Sequence, residues 1–473
     1  MVPHSITEAA RALRSGEVTC IQLVHQALDT SEALDGTLGM FLAVFRDQAL
    51  EAASAVDDRL AAGDDPGPLA GIPLGVKDMV CTKEGRTTAQ SLVLAPEWSR
   101  AQSDAPVVEN LRAAGAIITG KLTLSEFATG MPDHGKPFPV PRNPWNTLHW
   151  TGGSSSGCAN SVSVGAVLGA VGSDTAGSVR TPAANCGITG FIPTHGRVSL
   201  AGCVPLGYSM DRLGPMARSA EDCARLLNSM VGHEFSRTSS VDLHSENFLD
   251  ALTGDLNGLT IAVDDLERTA QTPSDPALSS SFEQAVETLR RCGARVIGAE
   301  LPHFEEISLV TIMMLLSEGL AYHLPDLQQR WKDYGRSTRL KLATGTFYSA
   351  ADYVQAQRVR RTAQKALGGL FAQADLVVTP TTGYPAPKLA ELEELNRGRL
   401  NASMDARMYT GYWNFMGNPA LSVPMGFSAE ALPLGLHIAG RPMEDGTVLR
   451  AADAYQLASS WHTRRPDLQT LVG

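Results

Sequence analysis

Apolar and polar positions along this chain follow two periods, and the places where one gives way to the other divide it. Ser5-Ile6-Thr7-Glu8 has the form of a capping box, in which a serine hydroxyl and a glutamate three residues on satisfy the first free N–H groups of a helix. Ala9, Ala10 and Leu13 follow at helical spacing, so an amphipathic helix is predicted to open the chain. Residues 1–62 read as mainly helical as far as the turn-rich Gly63-Asp64-Asp65-Pro66-Gly67-Pro68. Leu69-Ala70-Gly71-Ile72-Pro73-Leu74-Gly75-Val76 is then apolar almost throughout and stops at Lys77, the pattern of a strand covered on both faces. Strand and helix patterns alternate over 69–232. The longest apolar stretch, Val162 to Val171, is too short to span a bilayer, and its alanine and glycine content predicts a buried helix.

Beyond that, Leu259-Thr260-Ile261-Ala262-Val263, a helical pattern, and Ala294-Arg295-Val296-Ile297 form a βαβ-like unit, and the chain is helix-rich from Ile307 to Phe371. Strands return in 376–473 at Leu376-Val377-Val378, Leu421-Ser422-Val423 and Leu434-Gly435-Leu436-His437-Ile438. No internal repeat or low-complexity linker interrupts the pattern. The expected architecture is α/β, a single mixed β-sheet core covered by helices on both faces, in one domain over 1–473.

Composition narrows the function. With 43% hydrophobic residues in 473, a large core is available, and the net charge of −11 disfavours nucleic acid and anionic membrane as partners. Seven scattered cysteines without a Cys-x-x-Cys pair read as reduced thiols of a cytoplasmic protein, and the N-terminus does not read as a secretion signal. Eleven histidines show no His-x-His or His-Glu-x-x-His grouping, so no metal is expected, nor any other cofactor.

The candidate chemistry lies in two serine- and glycine-rich segments, Thr151-Gly152-Gly153-Ser154-Ser155-Ser156-Gly157-Cys158 and Gly172-Ser173-Asp174-Thr175-Ala176-Gly177-Ser178-Val179-Arg180, downstream of Gly75-Val76-Lys77-Asp78. Small residues in the second segment can aim successive N–H groups at one point, which a developing oxyanion needs. Ser178, at the end of that turn, is a nucleophile only if a base takes its proton, and no histidine lies between His149 and His195. A lysine serves if burial lowers its pKa from the usual ~10.4. Lys77 follows an apolar run, and Asp78 should point to the opposite face of the extended segment and make structural contacts. Asp174 and Arg180 are expected to form an ion pair bracketing the turn.

These motifs resemble the amidase signature family, whose hydrolases use a Ser, cis-Ser, Lys triad. The resemblance implies Lys77 as base, Ser154 as the bridging serine after a cis peptide, and Ser178 as nucleophile, with the N–H groups of Thr175, Ala176, Gly177 and Ser178 as the oxyanion hole. Ser155 would orient the lysine amine. It continues through Arg142-Asn143-Pro144-Trp145-Asn146, Thr379-Pro380-Thr381-Thr382, Asn418-Pro419-Ala420-Leu421-Ser422-Val423-Pro424 and Leu434 to Pro442. It implies that 69–232 is the catalytic core, that 233–375 walls the substrate entrance, and that 376–473 completes the core. Two residues depart from the family pattern, Ala176 and Ser156, each standing for a glycine.

The implied activity is cleavage of a linear carbon–nitrogen bond in a small-molecule carboxamide, with carbamate and ester as alternatives, and a homodimer is compatible with it. Two other readings stand beside it. A partner-dependent protein like the glutamyl-tRNA amidotransferase A component would use the same triad, although the segment after its nucleophile usually reads Arg-Gln-Pro, against Arg180-Thr181-Pro182 here. Gly153-Ser154-Ser155-Ser156-Gly157 also fits the nucleophile elbow of an α/β-hydrolase, with Ser155 attacking and His437 as base, but the strand that should precede it is polar.

Overall fold

The computed structural model describes residues 3–94, 98, 103–231, 246–269, 274–397 and 409–471, so the division expected at 232–233 lies outside the described residues. Helix Ile6–Ser15 forms where the capping pattern predicts it. Ser5 Oγ accepts the Glu8 N–H, while the Glu8 carboxylate takes the His4 N–H.

Thirteen strands follow in the described residues: β1 (Phe41–Val44), β2 (Pro73–Lys77), β3 (Ile117–Leu122), β4 (Arg142–Asn143), β5 (Asn146–Trp150), β6 (Gly169–Asp174), β7 (Thr189–Ile192), β8 (Arg212–Ala217), β9 (Thr260–Val263), β10 (Arg295–Gly298), β11 (Leu376–Pro380), β12 (Ala420–Phe427) and β13 (Pro433–Gly440). β4 and β5 pair with each other, and the other eleven make one mixed sheet in the order β1-β3-β2-β6-β8-β7-β12-β13-β11-β9-β10. Strands run parallel around β2 and around β9, and antiparallel elsewhere. β1 lies inside the segment that read as helical.

Alternation along each strand sends neighbours to opposite faces. Leu74, Val76, Val171, Ile261 and Val378 enter one apolar cluster, whereas Leu122, Ala170, Ala262 and Val377 enter another on the far side. The fold class read from the pattern is therefore the one found. The expected helix over Val162 to Val171 is not. Helix Ser156–Val164 stops at Gly165, whose φ of 78° is left-handed, and β6 begins at Gly169. Both pieces are buried, and an apolar run cannot distinguish a buried helix from a strand covered on both faces.

A longer apolar segment lies elsewhere among the described residues. Helix Phe304–Arg330 reaches a mean hydropathy of 1.5 over an 18-residue window, and is long and apolar enough by length and composition to cross a membrane. Glu305, Glu306, Glu318 and Asp326 break up its sequence and conceal it.

Candidate active site

β2 and β6 are parallel neighbours, so their carboxyl ends bring Lys77 beside Ser173 and Asp174. The crevice outside the carboxyl ends of such strands is where open α/β sheets place ligands. Lys77 is fully buried, and its Nζ lies 2.8 Å from Ser154 Oγ, 2.9 Å from Ser155 Oγ and 2.9 Å from Ser173 Oγ. Burial pushes the amine down to about 8, against the opposing fields of Cys158, Cys203, Asp174 and Asp211. Asp78 turns away, as an extended backbone requires. Its carboxylate takes the Thr88 N–H and hydroxyl and lies 3.3 Å from Lys121 Nζ.

The Gly153–Ser154 peptide is cis. Ser155 N–H donates to the Ser178 carbonyl at 3.0 Å, which ties the two serine segments together. Ser156, in place of a glycine, is buried and donates its hydroxyl to the Gly152 carbonyl at 2.7 Å. Ser154 and the half-buried Ser178 line one cavity of about 150 Å³. No hydrogen bond joins their two hydroxyls among the described residues.

Asp174 organises the turn that carries Ser178. Its two oxygens accept from Gly177 N–H at 2.7 Å and Val179 N–H at 2.9 Å, and Arg180 grips both, Nη2 at 3.0 Å and Nε at 3.1 Å. Burial alone would raise this carboxyl, but the Arg180 guanidinium and these donors hold it well below the usual carboxylate range. The expected ion pair is present. Of the four N–H groups expected as oxyanion donors, that of Gly177 is already bonded to Asp174, which leaves those of Thr175, Ala176 and Ser178 as candidates. The residue with positive φ is Gly177, at 132°, and not Ala176, so the alanine there is unstrained. A Cβ on Gly177 would sit 1.9 Å from Thr410 Oγ1.

The nucleophile-elbow reading loses its base. His437 Nε2 is bonded to Arg180 Nη1 at 3.0 Å, and burial with that guanidinium pushes the imidazole far below its ordinary value. Ser155 Oγ meets Lys77 and the Ser173 carbonyl instead. The buried Cys158 thiol is pushed up to about 12, too high for a nucleophile.

Met131, Trp150, Leu206, Ile312, Leu315 and Leu316 give the cavity apolar walls, and Lys341 carries the one formal charge among the described lining residues. Helix Phe304–Arg330 supplies Ser308 and Thr311 as well as the last three of those apolar residues. A larger cleft of about 870 Å³ beside β9 and β10 is lined by Asp264, Glu267, Arg268 and Glu300, with Asp264 and Arg268 ion-paired. Its one serine beside a carboxylate, Ser279 donating to Glu267 at 3.3 Å, is exposed to solvent, and no lysine or histidine is among its described lining residues, so the smaller cavity is the stronger candidate for the chemistry. Sequence reasoning missed Ser173 as a contact of Lys77, although its place next to Asp174 in the second cluster was a signal. It also missed Asn414, whose Nδ2 donates to Asp174 Oδ1 at 2.9 Å from a distant helix.

The pattern of the Amidase family matches residues 22–449. The chain belongs to the Amidase family. The glutamyl-tRNA(Gln) amidotransferase A subunit from Chloroflexus aurantiacus is 36% identical to it over 488 residues, covering 98% of each chain. Two solved structures share its fold closely. One, of a vestigial protein complex that reveals the evolutionary origins of an s-triazine catabolic enzyme, superposes with a TM-score of 0.88 at 29% identity, covering 98% of this chain and 100% of that one. The other, a peptide amidase bound to the competitive inhibitor chymostatin, gives 0.83 at 28% identity, covering 98% and 99%. The family resemblance read from the serine and lysine motifs of this Amidase-family chain thus holds across nearly its whole length.

Proposed function

We propose that this chain is an amidohydrolase that cleaves the carbon–nitrogen bond of a neutral carboxamide through an acyl-enzyme on Ser178. The observation that carries the reading is the fully buried Lys77 amine, 2.8 Å from the hydroxyl of Ser154, on a cavity that Ser154 and Ser178 share. Neutral Lys77 takes the Ser154 proton, and Ser154 takes that of Ser178 as its oxygen attacks the carbonyl. The Ser178 hydroxyl must first turn toward Ser154. N–H groups of Thr175, Ala176 and Ser178 receive the developing oxyanion, each such donor typically contributing ~3 kcal/mol. The proton returns through Ser154 to the leaving amine, and water releases the acid.

The walls support an uncharged acyl group. An enclosed substrate bearing both an ammonium and a carboxylate needs partners of both signs, and Lys341 supplies only one. A second reading, favoured by the 36% identity to the glutamyl-tRNA(Gln) amidotransferase A subunit, is that the chain releases ammonia from glutamine as one member of a complex. The isolated chain should hydrolyse apolar primary carboxamides faster than glutamine. Glutamine cleavage that appears only when partner proteins are added would establish the second reading instead.

A further inference from the structure

Counting protons on the hydroxyls around Lys77 separates their roles. Nζ meets Ser154 Oγ at 2.8 Å, Ser155 Oγ at 2.9 Å, Ser173 Oγ at 2.9 Å and, further out, the Ser173 carbonyl at 3.3 Å. Ser155 donates its hydroxyl proton to the Ser173 carbonyl at 3.1 Å, and Ser173 donates its own to the Met79 sulfur at 3.1 Å. A carbonyl and a thioether only accept, so the direction of both bonds is set. Ser155 and Ser173 therefore face the amine with lone pairs. Ser154 Oγ has no acceptor but the amine among the described residues.

This arrangement satisfies both forms of the base. An ammonium places its three N–H groups on the three hydroxyl oxygens. A neutral amine keeps two on Ser155 and Ser173, and its lone pair is left facing Ser154, whose proton turns to meet it. We infer that Ser173, its proton held by the Met79 sulfur, is a positioning residue that together with Ser155 aims the free Lys77 lone pair at Ser154 alone. The inference rests on the Lys77, Ser154 and Ser178 reading above. The ionisable groups whose fields reach the amine are Cys158 from helix Ser156–Val164, Cys203 and Asp211 from the segment between β7 and β8, and Asp174 from β6. None of them hydrogen-bonds Nζ among the described residues, and each is unchanged in the variants below.

The test is the rate of Ser178 labelling by a fluorophosphonate from pH 6 to 10, which needs no knowledge of the substrate. Ser173→Ala removes an acceptor from the ammonium, so the acid limb should move about one pH unit lower. With the amine no longer aimed, the plateau rate should fall roughly 10- to 100-fold. Met79→Leu strands the Ser173 proton, which then turns onto Nζ and competes with Ser154, so limb and plateau should move the same way. Added to Ser173→Ala, Met79→Leu should change nothing more, and Ser173→Thr should restore the wild-type profile. Circular dichroism and Tm show which variants fold. A wild-type profile in Ser173→Ala, additive effects of the two substitutions, or failure of Ser173→Thr to rescue would overturn the inference. If Ser173→Ala does not fold, an unchanged acid limb in Met79→Leu overturns it alone. Wild-type protein that does not label at Ser178 would sink the underlying reading instead.

Discussion

Replacing Lys77 by methionine should change how the stability of the chain responds to pH. Methionine fills much of the same volume and carries no proton. In the wild type the amine drops from 10.5 to about 8 on folding, because burial disfavours the ammonium. At 1.36 kcal/mol per pK unit, that drop costs the folded state on the order of 3 kcal/mol wherever the lysine is charged in both states. Below pH 8 the full cost is present. Between about pH 8 and 10.5 the unfolded chain binds more protons than the folded one, so stability rises with pH, and above that range the cost is gone. Urea unfolding of both proteins at steps from pH 7 to 10 isolates the effect, since the other titrating groups cancel in the difference. Wild type should gain about 2 to 3 kcal/mol on the variant across that range. Curves that run parallel would mean that the lysine pKa is not lowered by folding, and the base assignment would fall with it. The same depression sets activity: at pH 7 only about a tenth of Lys77 would be neutral, so kcat/KM should climb toward a limb near pH 8.

Other substitutions probe the rest of the site. Ser154→Ala should slow amide hydrolysis by more than ~10²-fold while activated esters suffer less, because only the amine leaving group needs its proton returned; equal losses would exclude the relay. Asp174→Asn leaves Arg180 buried without its counter-ion and should cost about 3 to 5 kcal/mol in chemical denaturation, so a change under 1 kcal/mol would contradict the geometry. Gly177→Ala forces a Cβ to 1.9 Å from Thr410 Oγ1 at a φ of 132° and should lower Tm and abolish labelling, and wild-type behaviour would show that the turn is free to move.

The site was legible in the sequence wherever chemistry and local conformation coincide. Lys77 ends an apolar strand, Ser154, Ser155 and Ser178 sit in glycine-rich turns, and Asp174 and Arg180 lie close enough along the chain to be read as a pair. What escaped depends on distant segments. Asn414 reaches the Asp174 carboxylate from across the chain, whereas the Gly177 N–H that the same carboxylate takes lies only three residues on and was read as an oxyanion donor instead. The Met79 sulfur meets Ser173 only because β2 and β6 lie side by side. In the fold, the sheet was readable from strand-like runs, yet Val162 to Val171 divides at Gly165 because burial makes helix and strand equally apolar. The cavity walls were hidden for a related reason: Ile312, Leu315 and Leu316 sit in a helix whose interspersed charges mask its apolar face.

The central claim is that Ser178 forms a covalent intermediate with Lys77 as its ultimate base. The most direct measurement is intact-mass and peptide-mapping spectrometry after exposure to a fluorophosphonate. Wild-type protein should gain one adduct, mapped to Ser178, while Ser178→Ala gains none and Lys77→Ala reacts far more slowly. An adduct on Ser155, or none on folded wild-type protein, would contradict the account.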